Sequence, residues 1–226
     1  MVIFTYEHLR SKKEGGGVAV SALKVLKLVF VTDGGEHVEA LTIDIHVKNM
    51  TVIVTSAYGP QETSKIENEI MFLEYLNEEA QRSKACGKGF ILQGDHNAIL
   101  GPEFLPGDCH AQNINGKLFA GFLKDNNFVC VNSLPLTKGV ITRSQVYLGV
   151  EKKNALDFYV ICEFLLASVK SMQIGNGKQH ILTNYTRGVK AVNSDHRPLV
   201  MNVMLYKSTK VKKYKIAKYK VEKLKS

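Results

Sequence analysis

Cysteines are few in this sequence, with four in 226 residues, and the closest two are 21 positions apart. No close pair therefore suggests a disulfide framework, a dithiol redox motif or a zinc knuckle. Cys130 and Cys162 lie within apolar runs, where a free cysteine behaves as a small hydrophobic residue. We therefore expect both side chains to pack in the core.

Long apolar runs are also absent, since none reaches the roughly 18 residues needed to span a membrane. Residues 1–8 lack the charged-then-apolar order of a secretory signal. We expect an intracellular protein, nuclear or cytoplasmic, that does not associate with membranes. The sequence has no internal repeat, and 45% hydrophobic residues in a chain of this length are typical of one α/β domain.

Excess positive charge is scarce outside the last twenty residues. Of the 30 basic and 21 acidic residues, nine lysines and one glutamate lie in 207–226, so residues 1–206 are nearly neutral. A nearly neutral body argues against a wide basic face. The Lys-rich tail could hold phosphate backbones through salt-sensitive charge, or it could be a solvated linker.

Short runs rich in β-branched residues recur along the chain and predict strands. These runs are residues 18–20, 25–31, 41–47, 51–57, 90–92, 128–131, 155–161, 169–174 and 199–205. Residues 64–85 and 115–126 have helical periodicity and predict two helices. The short turns at 33–35 and 48–49 favour antiparallel hairpins, so we expect a layered α/β body with mixed sheets covered by helices.

Two segments place pairs of polar residues next to predicted strands. Asp195 and His196 precede the last apolar run, where a loop can present both to one cleft as a proton-handling or metal-supporting pair. Asp95 and Asn97 follow a buried run, and strand alternation places them on one side with His96 turned away. They could hold a water, a hard cation or a phosphate oxygen. For both segments, a solvated or Asx-rich turn is the alternative.

Two further segments carry single polar residues at strand positions. Tyr58 ends a strand before a Gly-Pro turn, where it could donate a hydrogen bond to an anion or cap the core. Asp157 lies in the apolar run at 155–161, and burying an unpaired carboxylate is costly. We therefore expect Asp157 to have a partner, and a histidine is the obvious one.

Taken in order, these segments resemble the endonuclease/exonuclease/phosphatase superfamily, and most closely the endonuclease domain of LINE-type (non-LTR) retrotransposons. The motifs that carry the resemblance are residues 15–20, 57–61, 94–98, 115–116, 139–143, 156–158 and 194–196. The resemblance implies a DNase I-like α/β fold over residues 1–206, a two-layer β-sandwich of mixed sheets flanked by helices. Residues 218–224 are similar to the linker that leads toward a reverse transcriptase in such elements.

The resemblance implies Mg²⁺- or Mn²⁺-dependent hydrolysis of phosphodiester bonds in DNA. It implies a monomeric domain with a reverse transcriptase domain in the parent polypeptide. Asp95 would activate or position the attacking water, and Asn97 would bind the phosphate. His196, oriented by Asp157, would control protonation or stabilise charge on the phosphate oxygens. Asp195 would join Asp95 at the metal.

The resemblance also implies contacts around these central groups. Tyr58 would contact the scissile phosphate, while Thr142, Ser194 and Arg143 would add hydrogen bonds to phosphate or DNA. Roles of this kind fit displacement at phosphorus, which depends on positioning and on dispersed positive charge or hydrogen-bond donors. Which group is the general base stays open at this point.

Two features of the family are not found in the sequence: an Asn near the end of the first strand and a metal-binding Glu in a Gln-Glu motif. Glu7 and Glu14 have surroundings that do not resemble that motif. We therefore expect a domain that lacks its first strands and has impaired nicking activity. The alternatives are an inactive remnant that at most binds nucleic acid, or the same fold acting on a phospholipid, an inositol phosphate or RNA.

Position 96 is a further departure, because the family usually has Phe there and this chain has His96. The imidazole could be a tolerated core side chain, or it could compete as a hydrogen-bond partner for Asp157.

Overall fold

The computed structural model describes residues 3–9, 17–23, 26–175 and 194–205. The predicted Lys-rich tail at 207–226 lies outside these ranges. The strands within them are β1 (Ile3–Leu9), β2 (Gly17–Leu23), β3 (Lys27–Asp33), β4 (Glu39–Val47), β5 (Met50–Tyr58), β6 (Gly89–Asp95), β7 (Phe128–Cys130), β8 (Thr137–Lys138), β9 (Arg143–Tyr147), β10 (Val150–Asn154), β11 (Asp157–Cys162), β12 (Val169–Ile174) and β13 (Leu199–Val203). The α-helices are α1 (Ile66–Ala85) and α2 (Ile114–Asp125).

A six-stranded mixed sheet with the order β3-β4-β5-β6-β11-β7 forms one layer. β3, β4 and β5 are joined as antiparallel neighbours, as the short turns predicted. β5 and β6 run parallel, because α1 between them carries the chain back to the starting edge. β11 then pairs antiparallel with β6. As a result, β5 and β6 end at the edge of the sheet where β11 begins.

The second layer contains a three-stranded sheet, β13-β12-β8, and the β1-β2 hairpin. Between the layers lies an apolar cluster that includes Val20, Leu41, Ile43, Val52, Ile91, Ile161, Met172 and Ile174. Strand alternation sends the intervening residues to the opposite face, where Ile53, Phe90, Leu92 and Phe158 pack against the helices. The predicted two-layer sandwich of mixed sheets flanked by helices is therefore confirmed.

Both predicted helices are present, with bounds shifted by one or two residues. In α1 the buried positions include Phe72, Leu76 and Ala80, which repeat every four residues along one face. α2 is capped by Asn113, whose side chain accepts a hydrogen bond from the backbone N–H of Gly116. Neither helix is both long enough and apolar enough to cross a membrane.

α1 also buries a carboxylate that has no partner within the described residues. Glu69 is 2% exposed, and neither carboxylate oxygen accepts a hydrogen bond there. Burial raises its pKa from 4.5 to about 8. The folded protein therefore favours the protonated form, and it loses stability as the pH rises from the unfolded-state pKa toward 8.

Replacing Glu69 with glutamine is expected to remove this pH dependence, because the amide stays neutral at every pH. The variant's advantage in free energy of unfolding should grow by more than about 1 kcal/mol between pH 5 and pH 8. Urea unfolding of both proteins at the two pH values measures the change. An advantage that is the same at both pH values would contradict the assignment.

Candidate active site

Three strand ends meet at one edge of the six-stranded sheet. Tyr58 ends β5, Asp95 ends β6 and Asp157 begins β11. The register aligns Tyr58 with Asp95 in the parallel pair and Asp95 with Asp157 in the antiparallel pair. All three residues are partly buried. The structure therefore brings together three predicted site residues that are far apart in the sequence.

His196 reaches this group from the second layer, just before β13. Its Nδ1 lies 3.0 Å and 3.2 Å from the two carboxylate oxygens of Asp157. Its Nε2 faces the other carboxylates, 3.7 Å from Asp95 Oδ2 and 3.9 Å from Asp195 Oδ1. The expected histidine partner of Asp157 is present, and the imidazole bridges the two layers.

The electrostatics of the group raise the pKa of the His196 imidazole and the pKa of the Asp95 carboxylate, so both groups hold their protons to a higher pH. The hydrogen bond to Asp157 raises the pKa of His196, although partial burial opposes it. Burial and then the charge of Asp157 raise the pKa of Asp95 from 3.8 to about 6. Shifts of this kind in neighbouring groups are typical of sites that transfer protons.

Asp195 lies at the rim of the site and is held by Arg143. The guanidinium Nε donates to Asp195 Oδ2 over 2.8 Å. Partial burial would raise the pKa of Asp195, but this hydrogen bond and the charge of Arg143 outweigh it and lower the pKa. Ser194 is exposed, and its hydroxyl accepts the backbone N–H of His196 over 3.1 Å. Arg143 and Ser194 thus fix the segment that carries His196.

Asn97 lies two residues after Asp95, and its backbone is in the left-handed region, with φ of 48°. Its backbone N–H donates to Asp95 Oδ1 over 2.9 Å, and its Nδ2 donates to the Gly59 carbonyl over 2.8 Å. A Cβ at Gly59 would lie 2.5 Å from the His96 carbonyl oxygen, so this close approach requires glycine. Asn113 Nδ2 donates to the Asn97 carbonyl and ties the next loop to the site.

His96 turns away from Asp95 into the core, as alternation predicted. It is fully buried, and its ring lies 4.5 Å from Phe119 and 6.1 Å from Phe158 between centroids. Neither ring nitrogen has a hydrogen-bond partner among the described residues, and burial lowers its pKa to about 3. The imidazole is therefore a neutral core side chain that forms no hydrogen bond to Asp157 there.

Replacing His96 with phenylalanine is expected to raise the free energy of unfolding by about 1–3 kcal/mol, because it removes two unsatisfied buried polar atoms. The aromatic contacts with Phe119 and Phe158 would be kept. Chemical denaturation at pH 7 measures the gain. An unchanged or lower stability would indicate that the imidazole makes a compensating interaction.

Thr142 is a buried residue that hydrogen-bonds the backbone segments around the site. It is fully buried, and its hydroxyl accepts the backbone N–H groups of Leu156 and Asp157 over 2.9 Å and 3.0 Å. Its carbonyl accepts the N–H of Arg197 over 2.7 Å. In this position the hydroxyl contacts backbone rather than solvent, so it does not fit the predicted phosphate contact. Thr142 instead joins the segments that carry the acid and the imidazole.

Asn132 is a positioning residue that the sequence did not reveal. It is buried, its Nδ2 donates to the Asp157 carbonyl over 3.0 Å, and its Oδ1 accepts the N–H of Tyr159 over 3.0 Å. An asparagine after a short apolar run resembles any turn residue, so no sequence signal marks this role. The pair of bonds fixes the start of β11 and with it the carboxylate of Asp157.

One group of ligand atoms at this edge could hold a cation. The ligand atoms of Asp95, Asp157 and His196 all lie within 4.8 Å of one another. Within the described residues this group contains two aspartates and a histidine but no glutamate, and the predicted ligand Asp195 lies beside it. Glu7 lies on β1 with its side chain exposed, and Glu14 is outside the described ranges.

The fold has counterparts among solved structures. The endonuclease domain of TRAS1, a telomere-specific non-LTR retrotransposon, matches with a TM-score of 0.66 and 16% identity over 91% of this chain and 81% of that one. The 3'-5' exonuclease NExo from Neisseria meningitidis matches with a TM-score of 0.61 and 16% identity, over 89% of this chain and 79% of that one. The AP endonuclease LMAP from Leishmania major matches with a TM-score of 0.62 and 13% identity, over 89% of this chain and 71% of that one.

No protein-family model and no curated protein sequence matches the chain. At 13–16% identity, the structural matches establish the fold. The predicted architecture and the predicted resemblance are both confirmed at that level. The chain has a DNase I-like fold, which endonuclease/exonuclease/phosphatase proteins share, and its structure is similar to that of the endonuclease domain of a non-LTR retrotransposon.

Proposed function

We propose that this chain hydrolyses phosphodiester bonds in DNA and acts as a nicking endonuclease dependent on Mg²⁺ or Mn²⁺. The observation that carries the proposal is the bridge from Asp157 through the His196 imidazole toward Asp95. The bridge presents an oriented hydrogen-bond donor next to a carboxylate in a partly buried cleft. The fold shared with nucleases and with a 3' phosphatase bound to a DNA product hairpin supports phosphodiester chemistry.

Each group has a role that its geometry allows. Asp95 accepts a proton from the attacking water or positions it, since its carboxylate is the most buried one facing His196 Nε2. The oxygen of that water bonds to phosphorus as the ester oxygen leaves. His196, fixed by Asp157 at Nδ1, stabilises negative charge on the phosphate through Nε2–H. Tyr58 at the end of β5 and Asn97 just after the end of β6 contact the phosphate oxygens.

The donor set fits a hard divalent cation. Asp95 and Asp157 are aligned neighbours, and the charge of Asp157 opposes the ionisation of Asp95, so a cation near them would relieve that repulsion. Carboxylate oxygens are the protein ligands that Mg²⁺ prefers. We assign Asp95 as the principal ligand, with Asp195 at the rim completing the set. When bound, the cation would neutralise charge on the phosphate and polarise its P–O bonds.

The experiment that tests the function is nicking of supercoiled plasmid by the full chain with Mg²⁺ or Mn²⁺. The wild type is expected to produce open circles that EDTA suppresses, while Asp95→Asn slows nicking by about 10²-fold or more. Asp125→Asn is the matched control, since Asp125 is exposed at the end of α2. Equal nicking by Asp95→Asn and wild type would refute the assignment.

The same assay separates the enzyme from an inactive remnant. A chain that binds DNA but leaves plasmid intact with either cation would support the remnant, with the Lys-rich tail as its DNA contact. In that case, deleting residues 207–226 should abolish binding and its salt dependence.

We also propose that the chain works as a monomer in a retroelement polypeptide that carries a reverse transcriptase. The likeness to the TRAS1 domain and the linker-like sequence at 218–224 support this setting.

A further inference from the structure

The loop between β6 and α2 carries three consecutive residues with three different kinds of metal-binding atom. Asp108, Cys109 and His110 offer an oxygen, a sulfur and a nitrogen, and their ligand atoms all lie within 4.8 Å of one another. Cys109 Sγ lies 3.9 Å from His110 Nδ1, and His110 Nδ1 lies 2.7 Å from Asp108 Oδ1. We refer to these residues as the 108–110 cluster. It shares no residue with the group around His196.

The carboxylate of Asp108 is buried and only half satisfied. Its side chain has no exposed surface. Oδ1 accepts hydrogen bonds from the backbone N–H and the ring of His110, whereas Oδ2 has no hydrogen-bond partner within the described residues. No lysine or arginine of the described ranges forms an ion pair with it. Because burying an unpaired carboxylate oxygen is costly, this position favours a cation.

The other two side chains make the cluster accessible from solvent. Cys109 is exposed, and the His110 side chain is 34% exposed. Tetrahedral zinc, with bonds of about 2.1 Å to nitrogen and 2.3 Å to sulfur, holds those atoms about 3.6 Å apart. The observed separation of 3.9 Å is close to this spacing. Thiolate and imidazole ligands suit zinc and not magnesium, which takes oxygen ligands.

We propose that the 108–110 cluster is a Zn²⁺ site, with one carboxylate oxygen, one thiolate and one imidazole nitrogen as ligands and water in the fourth position. On coordination, the Cys109 thiol releases its proton to the buffer. The ring nitrogen exchanges its bond to Asp108 for the metal, and the carboxylate gains the cation that its burial favours. This site is distinct in ligands and chemistry from the cation group of the candidate active site.

A cation here would stabilise the loop that adjoins the active site. Gln112 Nε2 donates to the Leu100 carbonyl over 2.8 Å, and Asn113 joins the same loop to Asn97. The loop therefore begins and ends beside the turn at residues 95–97, which carries the proposed phosphate contact Asn97. Zinc would reduce the conformational freedom of the segment between them and hold that turn in place.

Zinc titration of the EDTA-treated full chain by calorimetry tests the site. To remove two of the three possible ligands of the active-site group, the titration uses the Asp95→Asn/His196→Ala protein, which is expected to bind one equivalent of Zn²⁺. Adding Cys109→Ser or His110→Ala should weaken that binding at least tenfold. Adding Cys86→Ser or His37→Ala should leave it unchanged, since Cys86 and His37 are exposed elsewhere on the chain.

Cobalt supplies the second measurement. Co²⁺ bound at the cluster should give a thiolate-to-metal charge-transfer absorption that Cys109→Ser abolishes and Cys86→Ser retains. Circular dichroism of each variant confirms that it is folded. An isotherm that Cys109→Ser does not change, or the absence of the thiolate absorption, would overturn the proposal. These readouts require no nuclease activity, so they stand or fall separately from the proposed function.

Discussion

Replacing His196 with alanine is expected to lower the rate of plasmid nicking by about 10²–10⁴-fold. The imidazole is the group that joins the two layers, with Asp157 at Nδ1 and Asp95 near Nε2. Its loss removes the donor that stabilises charge on the phosphate and leaves two adjacent carboxylates without their shared partner. Nicking rates at saturating Mg²⁺, measured from open-circle formation, give the effect. His37→Ala, which removes an exposed histidine, should cut at the wild-type rate.

Asp157 acts through His196, and this dependence can be measured. Asp157→Asn should slow nicking less than His196→Ala, because the imidazole remains but is less well oriented. The double variant should be no slower than His196→Ala alone, since removing the imidazole also removes the route by which Asp157 contributes. Losses that multiply in the double variant would show that the two residues act independently.

Replacing Gly94 with alanine is expected to lower the free energy of unfolding by about 3 kcal/mol or more. Gly94 has φ of 138°, a conformation that L side chains rarely adopt, and an added Cβ would lie 1.9 Å from the Ala57 carbonyl oxygen. Because Ala57 and Gly94 are paired across β5 and β6, the methyl group would force apart the strands that end in Tyr58 and Asp95.

Gly87→Ala is the matched control for this effect. Gly87 also has a positive φ, of 60°, but its added Cβ would meet no atom within 4 Å. It should therefore lose only about 1–2 kcal/mol from the left-handed conformation. Denaturant unfolding followed by circular dichroism compares the two. Equal midpoints for Gly94→Ala and Gly87→Ala would contradict the steric argument, whereas failure of Gly94→Ala alone to fold would agree with it.

Local pattern was sufficient to predict the helices and the central strands. The period of apolar residues in α1 records which face is buried, and the alternation of Leu41, Ile43 and Ile45 in β4 records which face packs against the second layer. The β9-β10 hairpin was not predicted, because it is mostly exposed and has no apolar alternation. β1 was also not predicted, although its sequence contains apolar residues.

Some residues of the candidate site could likewise be predicted from local sequence, and others could not. Asp95, Asp157 and His196 could be identified because each stands at a strand end in a motif with a recognisable order. The buried roles of Thr142 and Asn132 could not, since they depend on which backbone groups lie opposite them after folding. The 108–110 cluster could not be predicted, because a single cysteine flanked by aspartate and histidine lacks the paired spacing that marks a metal site in sequence.

The bridge between Asp157 and His196 joins the candidate active site to the segment that leads into an edge strand, β13. β13 is paired on one side only within the described part of the chain, whereas β11 lies inside the six-stranded sheet. Fraying of β13 would withdraw His196 together with Asp195, while Asp95 and Asp157 stayed in register as two adjacent carboxylates without the imidazole between them. Under the proposed function, substrate binding and turnover would therefore be lost together when β13 frays.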